Sequence, residues 1–147
     1  MLSDTAEYAL RAVLYSADNQ DEGMVRVEPL AEALRVPRNY LSKTLYALTK
    51  AGVLTSMRGP RGGFALAVPA DEMTLYQVVE VFDTIEAKRT CLLGRKQCND
   101  ANPCPAHHRW KGIADQIAEF FRSTTVGDLI RDPEAAASLT GAEWDDA

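Results

Sequence analysis

Residues 30–68 read LAEALRVPRNYLSKTLYALTKAGVLTSMRGPRGGFALAV, and three elements follow from them in order. Leu30 to Arg35 is a short helical run that Val36-Pro37 breaks, because a proline ring disfavours helical backbone in the residue before it. A second helix is expected from Arg38 to Lys50, with Gly52 just past its end in the role glycine often takes there. Two short helices across a tight break form a helix-turn-helix, whose second helix enters the major groove. Leu41, Leu45 and Leu48 share one face of that helix, while Asn39, Lys43, Tyr46 and Lys50 recur at i, i+4, i+7 and i+11 on the opposite face. Arg38 and Ser42 flank the outward stripe, so it consists of donors and cations able to meet phosphate oxygens and base edges. Asn39, Tyr40 and Ser42 are the candidates for reading base edges.

The rest of the stretch is a hairpin. Val53-Leu54-Thr55-Ser56-Met57 and Phe64-Ala65-Leu66-Ala67-Val68 flank Arg58-Gly59-Pro60-Arg61-Gly62-Gly63, and Phe64, Leu66 and Val68 alternate with small residues. Glycines let the tip approach another backbone closely, and Arg58 and Arg61 supply the charge for a polyanion. A phosphate-binding loop would need a helix directly after it, and none follows. A wing on DNA, with Arg58, Gly59, Pro60, Arg61 and Gly62 at the contact, is the expectation, and Lys43, Arg58 and Arg61 are assigned to phosphate or minor-groove contacts.

Charge supports that reading once its position is considered. The chain of 147 residues has a formal net charge of −5, but Asp132, Glu134, Glu143, Asp145 and Asp146 fall in a terminal stretch without Lys or Arg. From Ala33 to Ala70 there are six cations (Arg35, Arg38, Lys43, Lys50, Arg58, Arg61) and no Asp or Glu, a field that attracts polyanions.

Outside this stretch, Ala6, Ala9, Leu10, Val13, Leu14 and Ala17 predict an amphipathic helix over 4–17, with Asp4 and Glu7 as a capping pair. Met24 to Val27 reads as a short strand, with Pro29 at the first position of the next helix. Leu75, Val78, Val79, Phe82 and Ile85 predict a helix over 74–85. A long helix from about Ala106 to Ser123 gathers Trp110, Ile113, Ala114, Ile117, Ala118 and Phe121 on one stripe, which Phe120 widens. Such a stripe needs a partner, and a homodimer packed through Trp110, Ile113, Ile117, Phe120 and Phe121 matches the two-fold symmetry of a palindromic operator. The alternative is that it folds back on its own domain. Val126 to Arg131 adds a turn, and the acidic stretch after it is expected to lack order.

The expected class is mainly α with a small β-hairpin wing: a winged helix-turn-helix over 1–85, a cysteine loop over 86–105, a dimerisation helix and terminal turn over 106–131, and an acidic tail over 132–147. The longest uncharged stretch, Gly62 to Ala70, is far short of the roughly 20 apolar residues a membrane helix needs. With no secretory signal visible at Met1-Leu2-Ser3-Asp4, a cytoplasmic protein without a membrane partner is expected.

The three cysteines form C-x6-C-x5-C-x2-H-H at Cys91, Cys98, Cys104, His107 and His108. Structural zinc usually uses closer cysteine pairs, so the wide gaps suit an iron–sulfur cluster better. Zinc on three cysteines and a histidine is the alternative, as is a metal-free thiol switch favoured by nearby Arg89, Arg95 and Lys96. A thiol enzyme using Cys104 with His107 lacks any evident orienting group and is not expected.

The chain from Glu7 to Ile130 resembles the Rrf-type winged-helix regulators of the IscR and NsrR kind. Tyr8-Ala9-Leu10-Arg11-Ala12 is similar to their opening helix, Pro37-Arg38-Asn39-Tyr40-Leu41 to the start of their recognition helix, and Arg58-Gly59-Pro60-Arg61-Gly62-Gly63-Phe64 to their wing. The resemblance implies a [2Fe–2S] or [4Fe–4S] cluster on Cys91, Cys98 and Cys104. Its fourth ligand would be His107 on the IscR-like pattern, or Glu7 donated across the dimer on the NsrR-like pattern. The first cysteine gap here is six residues where five is common, and Glu7 stands where the second branch has Asp. A dimeric transcriptional regulator, most often a repressor, is the function this resemblance implies.

Overall fold

Helix α1 (Asp4–Asp18) begins at Ser3, whose side-chain oxygen accepts a hydrogen bond from the Ala6 amide at 3.2 Å. The expected Asp4 and Glu7 capping pair therefore gives way to a serine cap, with both acids in the first turn, where negative charge faces the positive end of the helix dipole. Ala6, Ala9 and Ala12 are fully buried, and their small side chains let α1 pack closely on several neighbours at once. The computed structural model describes residues 1–86, 91–96 and 99–140.

Helices α2 (Val27–Leu34) and α3 (Arg38–Lys50) form the expected pair. The turn between them is made by Arg35 in a left-handed conformation (φ 57°, ψ 43°), with the Val36 amide donating to the Ala31 carbonyl at 3.0 Å. Arg11 Nη2 reaches from α1 to the Leu34 carbonyl at 2.6 Å, satisfying an acceptor the helix end leaves over. Leu41, Leu45 and Leu48 are completely buried, as their spacing requires. The strand expected over 24–27 reduces to a single bridge between Val25 and Phe64, because α2 already starts at Val27. Pro29 is consequently the third helical residue, where its missing N–H is still harmless.

Strands β1 (Leu54–Met57) and β2 (Gly63–Leu66) pair antiparallel, Leu54 opposite Leu66 and Met57 opposite Gly63. Val68, expected within the second strand, lies beyond it and is exposed. Helix α4 (Leu75–Val79) is capped reciprocally by Thr74 and Gln77 and stops six residues earlier than its apolar pattern suggests. The Phe82 and Asp83 amides both turn back to the Val79 carbonyl, yet Ile85 is still buried.

Helix α5 (His107–Ser123) leads into α6 (Val126–Ile130) and α7 (Pro133–Ala137). Backbone bonds pin the starts of α4 and α6 together, Leu75 N–H to Thr124 O at 2.9 Å and Val126 N–H to Met73 O at 2.7 Å. The acidic segment read as lacking order is folded through Thr140: Asp132 caps α7, and Ala136 and Leu139 are buried. Residues 141–147 lie outside the described residues. One core cluster runs from Ala6 to Leu139 and includes Ala118, Phe121 and Val126, so the C-terminal helices close over α1 and α4. Among the described residues, no helix is long and apolar enough to cross a membrane.

Candidate nucleic-acid interface and cysteine loop

The outward face of α3 presents Arg38, Asn39, Lys43, Tyr46 and Lys50 to solvent, with Ser42 half-buried beside them. Tyr40 is exposed as well, at 40%. Its ring packs edge-on against Tyr8 of α1, with centroids 5.5 Å apart at 84°, and its hydroxyl hydrogen-bonds that of Thr5.

The wing keeps its shape through its glycines and one arginine. Gly59 (φ 106°) and Gly63 (φ 145°) use backbone conformations that side chains resist. A Cβ on Gly62 would stand 2.0 Å from the Met57 carbonyl oxygen, and one on Gly63 would stand 2.5 Å from the Val25 carbonyl oxygen. Arg26 Nη1 donates to the Pro60 carbonyl at 2.9 Å and the Gly59 carbonyl at 3.4 Å, fastening the tip to the start of α2. Arg58, Gly59, Pro60 and Arg61 are exposed, whereas Gly62 is buried beneath them. Between wing and helices runs a groove of about 300 Å³ lined in part by Arg26, Glu28, Arg38, Arg58 and Phe64. Glu28 forms an ion pair with Arg38 at 3.3 Å, so an acid from outside the acid-free stretch enters the basic surface.

In the cysteine loop, the Sγ atoms of Cys91 and Cys104 lie 3.4 Å apart, Cys91 buried and Cys104 half-buried, both as free thiols. The backbone N–H of Arg95 is the main cause that holds the Cys91 thiol below its ordinary range, followed by the Cys104 thiol and the N–H of Leu93. Gly94 at φ 88° makes the tight turn of this segment, and its N–H donates to the Cys91 carbonyl at 3.0 Å. His107 opens α5 and is 3% exposed, with Nε2 2.6 Å from Asp100 Oδ1. Asp100 also accepts from Lys111 Nζ at 3.0 and 3.2 Å, and these two partners, His107 first, hold its carboxyl at about 2.

These features fit a soft metal centre. Sulfurs bound to one tetrahedral metal through bonds of about 2.3 Å stand about 3.8 Å apart, close to the observed gap, and N–H groups aimed at a sulfur favour the thiolate that metals require. A carboxylate on the ring nitrogen of a histidine is likewise the usual support behind a metal-ligating imidazole. Cys98 lies outside the described residues, and among those described no group of three metal-ligating side chains is gathered. Glu7, the alternative fourth ligand, is exposed in the first turn of α1.

The apolar stripe of α5 divides into two faces. Ala114, Ala118 and Phe121 are buried in the chain's own core, which removes Phe121 from the expected dimer surface. Ile117 is half-buried against the same core, and Trp110 is half-buried. Ile113 and Phe120 remain about half exposed, at 52% and 49%. Sequence reasoning passed over Arg26, Glu28, Asp100 and Lys111. The i, i+4 spacing of His107 and Lys111 was a usable signal for one of these contacts, whereas nothing local marks Arg26 as the partner of a wing 33 residues away.

The family model described as "Iron-dependent Transcriptional regulator", Rrf2, matches residues 2–132. The chain is 42% identical over 132 residues to a protein of Aquifex aeolicus whose name describes an HTH-type transcriptional regulator, covering 88% of this chain and 91% of that one. It is 30% identical over 134 residues to the HTH-type transcriptional regulator IscR of Pectobacterium atrosepticum, covering 90% and 80%. Its fold is similar to the solved structure of CymR, the global cysteine regulator of B. subtilis, with a TM-score of 0.74 at 24% identity over 89% of this chain and 96% of that one. A helix-turn-helix with a basic wing, a match over most of the chain and relatives of this kind agree: the chain belongs to the Rrf2 family of winged-helix transcriptional regulators, which are DNA-binding proteins and not enzymes.

Proposed function

We propose that this protein is a homodimeric repressor that reads a palindromic operator and whose DNA occupancy is set by an iron–sulfur cluster on Cys91, Cys98, Cys104 and His107. The observation that carries the reading is the meeting of the Cys91 and Cys104 thiols at 3.4 Å, next to the foot of α5. The family description as iron-dependent and the identity with IscR support the same reading. When bound, the cluster would supply a centre whose charge and integrity respond to oxidants, nitric oxide or iron supply.

The chain's own residues provide the coupling. The His107 amide donates to the Cys104 carbonyl at 3.0 Å, so a displacement of Cys104 is passed to the first residue of α5. Helix α5 carries Ala114, Ala118 and Phe121 on its inner face and Ile113 and Phe120 on its outer face, the latter offered to a second copy. A change at its foot would alter the separation of the two recognition helices, and half-sites on DNA are set one helical turn, about 34–36 Å, or a multiple of it apart. Asn39 and Ser42 read base edges in this account, while Arg38, Lys43, Tyr46, Arg58 and Arg61 hold phosphates or the minor groove.

Anaerobic purification with iron and acid-labile sulfide counted per chain tests the proposal. Coloured protein with both elements, losing them in Cys91→Ser, is the expected result; zinc without sulfide would overturn it.

The same 3.4 Å separation favours a second reading, a metal-free thiol switch. Cys91 and Cys104 would lose two protons and two electrons to a peroxide, which leaves as water and an alcohol, and form a disulfide of about 2.05 Å. Cys98→Ser separates the two readings: it abolishes iron binding in the first and leaves disulfide formation intact in the second.

A further inference from the structure

We infer that the groove between the wing and the first turn of α2 is a seat for a DNA phosphate, in which Glu28 competes with the phosphodiester for Arg38. This rests on the DNA-binding function of the family and adds to it a site, a ligand group and a residue that limits affinity. Three arginines from three separate elements line the groove: Arg26 at the start of α2, Arg38 at the start of α3 and Arg58 at the edge of the wing. Arg26 also holds the tip carbonyls of Gly59 and Pro60, so the wall of the groove that carries Arg58 is fixed relative to the start of α2.

The geometry favours phosphate over other ligands. A recognition helix lying in the major groove and a wing reaching the neighbouring backbone leave one strand of the duplex to pass between them, and this groove, walled by the wing and the first turn of α2, also includes Arg38, the first residue of the recognition helix. Guanidinium groups match phosphate oxygens through paired N–H donors. Glu28 is the one acid that lines this groove among its described lining residues. It engages Arg38 at 3.3 Å, with 74% of its own side chain and 61% of that of Arg38 exposed. A phosphate approaching Arg38 must therefore displace Glu28 and then lie beside its negative charge.

Glu28 lowers affinity for every sequence alike, because it acts on a phosphate contact and not on a base edge. Its removal adds about one unit of effective positive charge to the interface. Log affinity against log salt should then steepen by about 0.9. Like charges about 4 Å apart in water repel with an energy that corresponds to roughly five-fold in binding.

The test measures binding of a fluorescein-labelled random 30-base-pair duplex to the full chain across a range of salt. Glu28→Gln should bind roughly five-fold tighter at low salt with the steeper slope. The gain should vanish in the Glu28→Gln, Arg38→Ala double variant compared with Arg38→Ala alone. Both side chains are exposed, and unchanged far-UV circular dichroism checks that the variants fold. Unaltered affinity and slope in Glu28→Gln would overturn the inference, as would a full gain that persists without Arg38. Failure of the wild-type chain to bind duplex DNA at any salt would instead count against the DNA-binding reading itself.

Discussion

Asp100 Oδ1 stands 2.6 Å from the buried Nε2 of His107, and the same carboxylate accepts from Lys111 one turn further along α5. Its carboxyl is held at about 2, below the ordinary 3.8, by His107 first and Lys111 second. The stabilisation from this contact is thus complete above about pH 4 and is lost as the pH falls through about 2. Carbon-13 NMR of the Asp100 carboxyl should show a midpoint near 2 that moves upward in Lys111→Met. A midpoint near 3.8 in the wild-type chain would show that the pair does not form in solution.

The wing should tolerate alanine unequally. At Gly62 a Cβ would meet a backbone carbonyl at 2.0 Å, and Gly63 combines a clash with φ 145°. Either substitution should cost about 1–3 kcal/mol or force the hairpin to deform, with a loss of duplex affinity. Gly59→Ala meets nothing within 4 Å and carries only the conformational cost of φ 106°, about 1–2 kcal/mol. Thermal melts together with DNA titrations give the order, and a Gly62→Ala protein that binds as well as Gly59→Ala would contradict it.

Phe121 and Phe120 are adjacent, yet they should behave oppositely. Phe121→Ala opens a cavity in the core and should lower stability by about 3–5 kcal/mol. Ile113→Ser and Phe120→Ser should leave the unfolding of the single chain nearly unchanged while shifting sedimentation from dimer toward monomer. If neither exposed substitution alters sedimentation, the outer face of α5 is not the dimer contact.

Two substitutions on α3 separate phosphate contact from packing. Lys43→Ala should weaken binding to specific and random duplexes alike and reduce the salt slope by about one. Tyr40→Phe removes the bond to Thr5 and should cost about 1 kcal/mol of stability without changing base preference. A change in operator preference in Tyr40→Phe would show that the hydroxyl reads the operator as well.

The helix-turn-helix was legible because Leu41, Leu45 and Leu48 lie at helical spacing on one side of a helix whose other side is polar, and burial follows that pattern directly. The end of α4 was not legible. Phe82 and Ile85 continue the apolar period after the helix has stopped, since periodicity records which residues are half-buried or buried and not how the backbone brings them there. The folded segment after Asp132 was hidden for a related reason: two apolar contacts, Ala136 and Leu139, anchor a stretch whose composition is mostly polar and small.

Taken by itself, the order of residues determined the two-helix reader, the glycine-built basic wing and the gathering of three cysteines in one segment, because each depends on spacings within a few turns of chain. Tertiary structure alone decided that Tyr40 faces α1, that Glu28 meets Arg38, that Arg26 holds the wing and that one face of α5 returns to its own core. Those contacts depend on how separate elements cross in space. Local propensity does not encode those crossings, and only the packing of the buried faces fixes them.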